Sequence, residues 1–331
     1  MRVLVTGGGG FLGQAICQQL MARGDQVVSL SRRDYPALRA LGVTTYQGDI
    51  ADLSAVKAAA SRCDAIIHSA AKAGIWGSYE AFYRSNVEGT AQVLRACREL
   101  GIAKLVYTSS PSVVFAGQSQ CGIDESVTYP RSFLAYYPQT KAIAEQQVMA
   151  ANDQQLATVS LRPHLIWGPG DNHILPGIKQ RALSGRLRLI DGGVARVDNI
   201  YIENAAWAHL LALDRLSIAH PISGKTYFLS QDEPLSLHDF TNRLLAACGI
   251  APVTKRVPYR LAYPLACLIE GVAKMKRQVA EPLITRFVVK QLACDHWYDI
   301  SAAKSDLGYY PRVSTAEGMK QLAQYSNALS V

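Results

Sequence analysis

Long apolar segments, long basic runs and paired cysteines are all missing from this sequence of 331 residues. Its seven cysteines form no Cys-x-x-Cys pair, which argues against a disulfide framework or a zinc site and favours a reducing cytoplasm. The apolar run at 261–269 ends after nine residues, whereas a membrane-spanning helix needs about 20. Because the net charge of +8 comes from dispersed lysines and arginines, we expect no nucleic-acid partner. A strand-like run follows Met1 directly, so we expect no secretory signal.

The first half of the chain alternates short apolar runs with helical patterns, which predicts an α/β fold with a Rossmann-type, doubly wound parallel sheet. The predicted strands are 2–6, 26–31, 43–47, 64–68, 104–108 and 158–163, and the predicted helices are 11–23, 53–61, 84–100 and 138–151. The pattern then loosens, so we expect a dinucleotide-binding domain at 1–170 and a smaller substrate-binding region at 171–331. A further sheet strand near 225–230 would interleave the two regions.

The stretch "TGGGGFLG" follows the first predicted strand and begins the first predicted helix. Gly7, Gly10 and Gly13 have the spacing of a loop in which the backbone approaches a pyrophosphate at a helix N-terminus. The alternative is a glycine-rich turn with a purely structural role.

The stretch "YPQTK" places Tyr137 and Lys141 four residues apart, on one face of a helix. An adjacent ammonium group favours the phenolate, so we expect the pKa of Tyr137 to fall from about 10 towards neutrality. Upstream, "VYTSSPSVVF" ends a predicted strand with Ser110, whose hydroxyl can donate to a carbonyl oxygen. A tyrosine and lysine at this spacing are alternatively a solvated helix face.

These motifs, in this order, resemble the extended short-chain dehydrogenase/reductase superfamily across almost the whole chain. The stretches "YTSSPSVVF", "LRPHLIWGP" and "ISAAKSDLGYYPRVSTAEGM" resemble more narrowly its 3β-hydroxysteroid dehydrogenase branch. The resemblance implies a catalytic set of Ser110, Tyr137 and Lys141, with Tyr137 as the proton donor. It also implies that Asn86 supports the active-site helix, for which a buried amide that satisfies backbone groups is the alternative. The implied cofactor-binding residues are Gly7, Gly10, Phe11, Leu12, Gly13, Ser31, Arg32, Asp49, Ile50, Ala70, Tyr137 and Lys141, with no metal.

The second predicted strand ends in Ser31-Arg32, where an acidic residue normally binds the adenosine ribose. Ser31 removes the repulsion towards a 2′-phosphate, and the Arg32 guanidinium can bind that phosphate through two donors. The sequence therefore favours NADP(H). NAD(H), with solvated surface arginines, is the alternative. For Asp49, a helix N-cap or turn is the alternative to an adenine contact.

A narrower resemblance, to the reductases of long-chain olefin biosynthesis, implies NADPH-dependent reduction of the 3-keto group of a hydrophobic 2-alkyl-3-oxoalkanoic acid. The alternatives are a 3β-hydroxysteroid or sterol-4-carboxylate 3-dehydrogenase and, from another class, a non-catalytic nucleotide-sensing scaffold of the same fold. His164, Arg181, Arg186 and Arg188 could bind a substrate carboxylate, although a buried hydrogen-bonded histidine and surface charges are the simpler interpretation.

Two kinds of contact beyond the substrate are expected. The segment 255–290 combines an apolar run with flanking basic residues, so it could lie on a bilayer or cover an oily substrate. An ordinary helix packed on its own domain is the alternative. The family resemblance also implies a homodimer through the helices 84–100 and 138–151.

Overall fold

The computed structural model describes residues 1–328 and begins with alternating strands and helices. Its strands are short apolar runs, such as Arg2–Thr6, whose last four residues are buried. In chain order the elements of the first half are β1 (Arg2–Thr6), α1 (Phe11–Ala22), β2 (Gln26–Ser31), α2 (Pro36–Ala40), β3 (Thr44–Gln47), α3 (Leu53–Ala60), β4 (Ala65–His68), α4 (Tyr79–Tyr83), α5 (Gly89–Leu100), β5 (Lys104–Thr108), β6 (Gln120–Ile123), α6 (Tyr136–Ala150) and β7 (Ala157–Pro163).

The second half contains shorter strands and several helices. These elements are β8 (Ile166–Trp167), α7 (Ile174–Leu183), β9 (Leu189–Ile190), β10 (Arg196–Val197), β11 (Ile200–Tyr201), α8 (Ile202–Arg215), β12 (Lys225–Leu229), β13 (Leu235–Ser236), α9 (Leu237–Ala247), β14 (Arg256–Val257), α10 (Tyr259–Met275), α11 (Arg286–Ala293), β15 (His296–Tyr298), α12 (Ser301–Leu307) and α13 (Thr315–Ala328). Within residues 1–328, no helix is long and apolar enough to cross a membrane.

Seven parallel strands form the central sheet in the order β3-β2-β1-β4-β5-β7-β12. The predicted α/β class and parallel sheet are therefore confirmed. From β1 the chain runs first to one edge of the sheet and then to the other. This reversal opens a crevice at the carboxyl ends of the strands, where ligands of such folds bind.

Alternate residues of the central strands point to opposite faces of the sheet. Val3 and Val5 of β1 belong to the apolar core that contains residues of α1 and α8. Leu4 belongs to a second core, which contains residues of α3, α5 and α6. Because α8 comes from the second half of the chain, the two halves share one core. The expected division at residue 170 stays a prediction.

The helices that carry candidate residues begin earlier than the sequence predicts. The predicted helix 84–100 starts at Tyr79, where the Ser78 hydroxyl caps it by accepting from Ala81 N, and passes through a π-helical turn at Arg84–Glu88 into α5. The predicted helix 138–151 starts at Tyr136. Pro138 is then the third residue of α6, where an N–H group has no helical partner to lose.

Candidate active site and cofactor-binding cleft

The glycine-rich loop between β1 and α1 is closed so tightly that side chains do not fit. Gly7 has φ of +71°, and Gly10 N donates to Gly7 O at 2.8 Å. A Cβ at Gly13 would lie 2.1 Å from Gly7 O, and one at Gly7 would lie 2.8 Å from the Cα of Ala70. The loop leads into the N-terminus of α1 at Phe11 and Leu12, whose N–H groups suit a bound anion. The residues present therefore fit a dinucleotide pyrophosphate.

The end of β2 borders this loop. The Ser31 hydroxyl accepts a hydrogen bond from Gly9 N at 3.1 Å, and the Arg32 side chain next to it is exposed. The ring of Tyr35 packs on Gly9, since a Cβ there would lie 2.0 Å from the ring. The structure thus places Ser31 at the loop and leaves the Arg32 guanidinium accessible.

Asp49 and Ile50 follow β3 at the same edge of the sheet. The Asp49 carboxylate accepts from Ala51 N at 3.0 Å and lies 3.4 Å from the Arg84 guanidinium. Ile50 is buried against Gly89 of α5. Asp49 therefore has the turn-forming role that the sequence left open, and its adenine contact remains a prediction.

The three predicted catalytic residues lie at the carboxyl end of β5 and the start of α6. The Ser110 hydroxyl accepts from Ser112 N at 3.2 Å and caps a short 3-10 turn at Pro111–Val114. Its hydroxyl also interacts with that of Tyr137, which is half-buried. The Lys141 ammonium donates to Thr108 O at 2.6 Å. Strand β5 and helix α6 therefore bring all three residues to one end of the sheet.

The structure corrects the predicted electrostatics of Tyr137. Burial raises the pKa of its phenol, while the hydrogen bond with Ser110 lowers it, and the net shift is upward. Burial also lowers the pKa of Lys141 to about 7, although the charge of the Glu145 carboxylate acts in the opposite direction and raises it. The ammonium lies 4.1 Å from the ring centre of Tyr107 and donates to backbone rather than to Tyr137. In the protein alone, burial therefore outweighs the hydrogen bond from Ser110 in setting the pKa of Tyr137.

Asn86 ties the active-site helix to the loop after β4. Its amide nitrogen donates to Thr140 Oγ1 at 3.0 Å and to Lys72 O at 3.2 Å, and its oxygen accepts from Lys72 N at 2.7 Å. Thr140 lies directly before Lys141 on α6. The buried amide thus bonds both to the active-site helix and to backbone groups of the loop, so both interpretations of Asn86 agree with the structure. It lies in the π-helical turn, a feature frequent at functional sites.

The structure contains a buried ion pair near the active site that the sequence does not predict. Glu145 is one helical turn beyond Lys141, has no exposed surface, and lies 2.6 Å from the Arg162 guanidinium. Its carboxylate also accepts from Tyr129 OH at 2.7 Å and from Ser160 Oγ at 2.8 Å. The four-residue spacing predicts that Lys141 and Glu145 share one face of α6. The partner of Glu145, Arg162 on β7, is identified only by the fold.

The four candidate carboxylate-binding residues differ in burial and in their partners. His164 is buried, and its Nδ1 lies 2.8 Å from Asp198 O. Arg181, Arg186 and Arg188 are exposed. Within residues 1–328, no hydrogen bond or ion pair joins these four side chains to Ser110, Tyr137 or Lys141. The simpler interpretation of His164 as a hydrogen-bonded buried histidine therefore agrees with the structure.

The buried carboxyl of Asp198, beside His164, should make the stability of the protein depend on pH. Burial raises the pKa of its carboxyl to about 7, although the Tyr298 N–H donates to Oδ2 at 2.8 Å and lowers it. Between the ordinary value and about 7, the folded state holds a proton that the unfolded state has lost. This carboxyl therefore makes the free energy of unfolding fall as pH rises, by at most about 1.4 kcal/mol per pH unit.

Asp198→Asn keeps an acceptor for Tyr298 N–H but cannot ionise. We expect the variant to gain stability relative to the natural protein between about pH 5 and about pH 8, measured by urea unfolding. The same change in both proteins over this range would contradict the raised pKa of Asp198.

The chain is similar to a known protein family, to curated proteins and to solved structures. The model of the 3-beta hydroxysteroid dehydrogenase/isomerase family matches residues 4–259. The 2-alkyl-3-oxoalkanoate reductase of Shewanella oneidensis is 49% identical over 326 residues, which cover 96% of this chain and 84% of that protein. The 2-alkyl-3-oxoalkanoate reductase of Stenotrophomonas maltophilia is 48% identical over 331 residues, which cover 99% of this chain and 100% of that protein. Among solved structures, the UDP-glucose 4-epimerase of Thermus thermophilus in complex with NAD is 25% identical, with a TM-score of 0.75 over 99% of both chains.

Proposed function

Because the chain belongs to the 3-beta hydroxysteroid dehydrogenase/isomerase family and is an NAD(P)-dependent oxidoreductase, we propose that it reduces a hydrophobic 2-alkyl-3-oxoalkanoic acid. The 3-keto group becomes the 3-hydroxyl group, with NADPH as the reductant and the cytoplasm as the compartment. The observation that carries the chemistry is the placement of Ser110, Tyr137 and Lys141 at one end of the sheet. The substrate class is supported by two relatives that match almost the whole of this chain and have that activity in their names.

The nicotinamide cofactor supplies a hydride when it is bound. The chain's own contribution begins with the glycine-rich loop, where Gly7, Gly10 and Gly13 leave room for a pyrophosphate at the start of α1. This loop and the catalytic residues all lie at the carboxyl ends of the parallel strands, so one cleft can hold both cofactor and ketone.

Tyr137 is the proton donor of the proposed reaction. A raised pKa keeps its phenol protonated near neutral pH, which is the form that a reductase needs before negative charge develops on the ketone oxygen. The Ser110 hydroxyl interacts with the Tyr137 hydroxyl, so both can donate to that oxygen. Lys141 adds a partly protonated ammonium, which the buried Glu145 helps to keep charged.

The preference for NADPH is supported by the end of β2. A carboxylate at position 31 would repel a 2′-phosphate, whereas the Ser31 hydroxyl is neutral and is held by Gly9 N. The exposed Arg32 guanidinium can bind the phosphate with two charge-assisted hydrogen bonds.

Arg32→Ala is expected to lower the ratio of kcat/KM with NADPH to kcat/KM with NADH. Because charge-assisted hydrogen bonds are lost, we expect this ratio to decrease on the order of tenfold to a hundredfold. The decrease should come mainly from a higher KM for NADPH. Arg33→Ala is the matched control, because Arg33 is also exposed and directly follows Arg32. An unchanged ratio in Arg32→Ala, or a larger effect of Arg33→Ala, would show that Arg32 does not select the cofactor.

The proposed function is tested by the purified protein with a 2-alkyl-3-oxoalkanoic acid and, in parallel, with a 3-keto steroid. Each substrate is assayed with NADPH and with NADH by the loss of absorbance of the reduced nicotinamide. We expect the alkyl keto acid with NADPH to give the highest kcat/KM. Faster turnover of the steroid would reassign the substrate, and no turnover of either ketone would refute the proposed reaction.

A further inference from the structure

One face of α10 is apolar and exposed. Its apolar residues follow one another at intervals of four, three, four and three, which places them along one side of the helix. The exposed fraction is 65% for Leu268 and 81% for Met275. We name this face the α10 stripe, and it consists of Leu261, Leu265, Leu268, Val272 and Met275. Large apolar side chains in such a continuous row mark a binding surface.

The α10 stripe is not what holds the helix to the protein. The inner face of α10 buries the small residues Ala262, Ala266 and Ala273, and the helix packs against α11. The buried Glu270 on this side pairs with Arg286 and Lys274, each at 2.8 Å. The helix is thus anchored from the inside, and its outer apolar face is available.

The surroundings of the α10 stripe are basic. Arg256 and Arg260 lie before or at its start, and Lys276 and Arg277 follow Met275, all four with exposed side chains. Among residues 1–328, none of these four pairs with a carboxylate. The acidic residue of α10, Glu270, is buried and neutralised by its own pairs. An apolar stripe bordered by unpaired cations is complementary to an anionic lipid surface.

We propose that α10 lies in the headgroup region of an anionic bilayer, with the α10 stripe towards the acyl chains and the four basic side chains towards lipid phosphates. The helix has 17 residues and does not span the membrane. Exposed Val279 and Leu283 follow in the segment after its C-terminal end, on either side of the exposed Glu281. This inference does not depend on which ketone the protein reduces.

The contact would place the bilayer beside the cleft. The Trp76 indole donates to Gln278 O at 2.8 Å, so the segment after α10 touches the loop that continues from Ala70. The same loop is held to the active-site helix through Lys72 and Asn86.

The test is cosedimentation with vesicles of phosphatidylcholine and phosphatidylglycerol in equal amounts, compared with vesicles of phosphatidylcholine alone. We expect the natural protein to sediment with the mixed vesicles and much less with the neutral ones. Leu265→Glu combined with Leu268→Glu should abolish sedimentation. Leu41→Glu combined with Ile218→Glu is the matched control, since both residues are exposed and lie outside α10 and outside the helices 84–100 and 138–151, and it should bind normally. Lys276→Gln combined with Arg277→Gln should weaken binding on the order of tenfold.

Similar urea unfolding midpoints in the α10 stripe variant and its control would show that lost binding is not lost folding. The proposal is overturned if the natural protein stays in solution with both kinds of vesicle, or if the α10 stripe variant binds as well as the control. It is also overturned if sedimentation velocity shows a dimer that the α10 stripe variant splits while no vesicle is bound, because a second copy would then cover this face.

Discussion

Tyr137→Phe is expected to lower kcat by a factor on the order of 10²–10⁴ while cofactor affinity stays nearly unchanged. The substitution removes a single hydroxyl, the group that interacts with Ser110 and that donates the proton in the proposed reaction. The phenyl ring keeps the packing at the start of α6. Steady-state reduction rates and titration of reduced-nicotinamide fluorescence measure the two quantities separately.

Tyr136→Phe is the matched control for this experiment. Tyr136 precedes Tyr137 on the same helix, but its side chain is exposed and its ring packs edge-on against Tyr79. We expect Tyr136→Phe to retain nearly full kcat. If the two variants had equal rates, Tyr137 would not be the proton donor.

Arg162→Met is expected to lower the free energy of unfolding by about 3–5 kcal/mol. The substitution leaves the Glu145 carboxylate buried without its cation, and the cost of that isolated charge exceeds the value of any exposed ion pair. Urea unfolding followed by circular dichroism measures the change.

A double variant separates the effect of the lost ion pair on stability from the effect of the lost side-chain volume. Arg162→Met combined with Glu145→Leu removes both charges, so it should recover a large part of the stability lost in Arg162→Met. Arg98→Met is the control, because Arg98 and its partner Asp153 are both exposed and their loss should hardly move the midpoint. If the double variant were no more stable than Arg162→Met, the isolated carboxylate would not be the cause.

Several features of the fold could be predicted because they depend on local sequence. The strands 2–6, 26–31 and 104–108 have the predicted bounds, since each is a short apolar run followed by a glycine or a polar residue. The glycine-rich loop was predicted because its spacing expresses a steric requirement, visible as the 2.1 Å approach of a Cβ at Gly13.

The electrostatics of the site could not be predicted in the same way. The pKa of Tyr137 depends on how deeply the fold buries the phenol and on where the Lys141 ammonium points. Glu145 and Arg162 are 17 positions apart on different elements, and nothing in their local sequence marks them as partners. The exposure of the α10 stripe likewise depends on which face of the helix the protein covers.

The edge strand β12 has a consequence for synthesis on the ribosome. Its residues, Lys225–Leu229, complete the sheet beside β7, and Gly318 of α13 packs closely against Trp167 and Tyr201. A nascent chain that has emerged only to residue 170 presents β7 as an uncovered edge, a template for pairing with other chains. We therefore expect a product terminated near residue 170 to expose this strand edge and to aggregate more readily than the full chain.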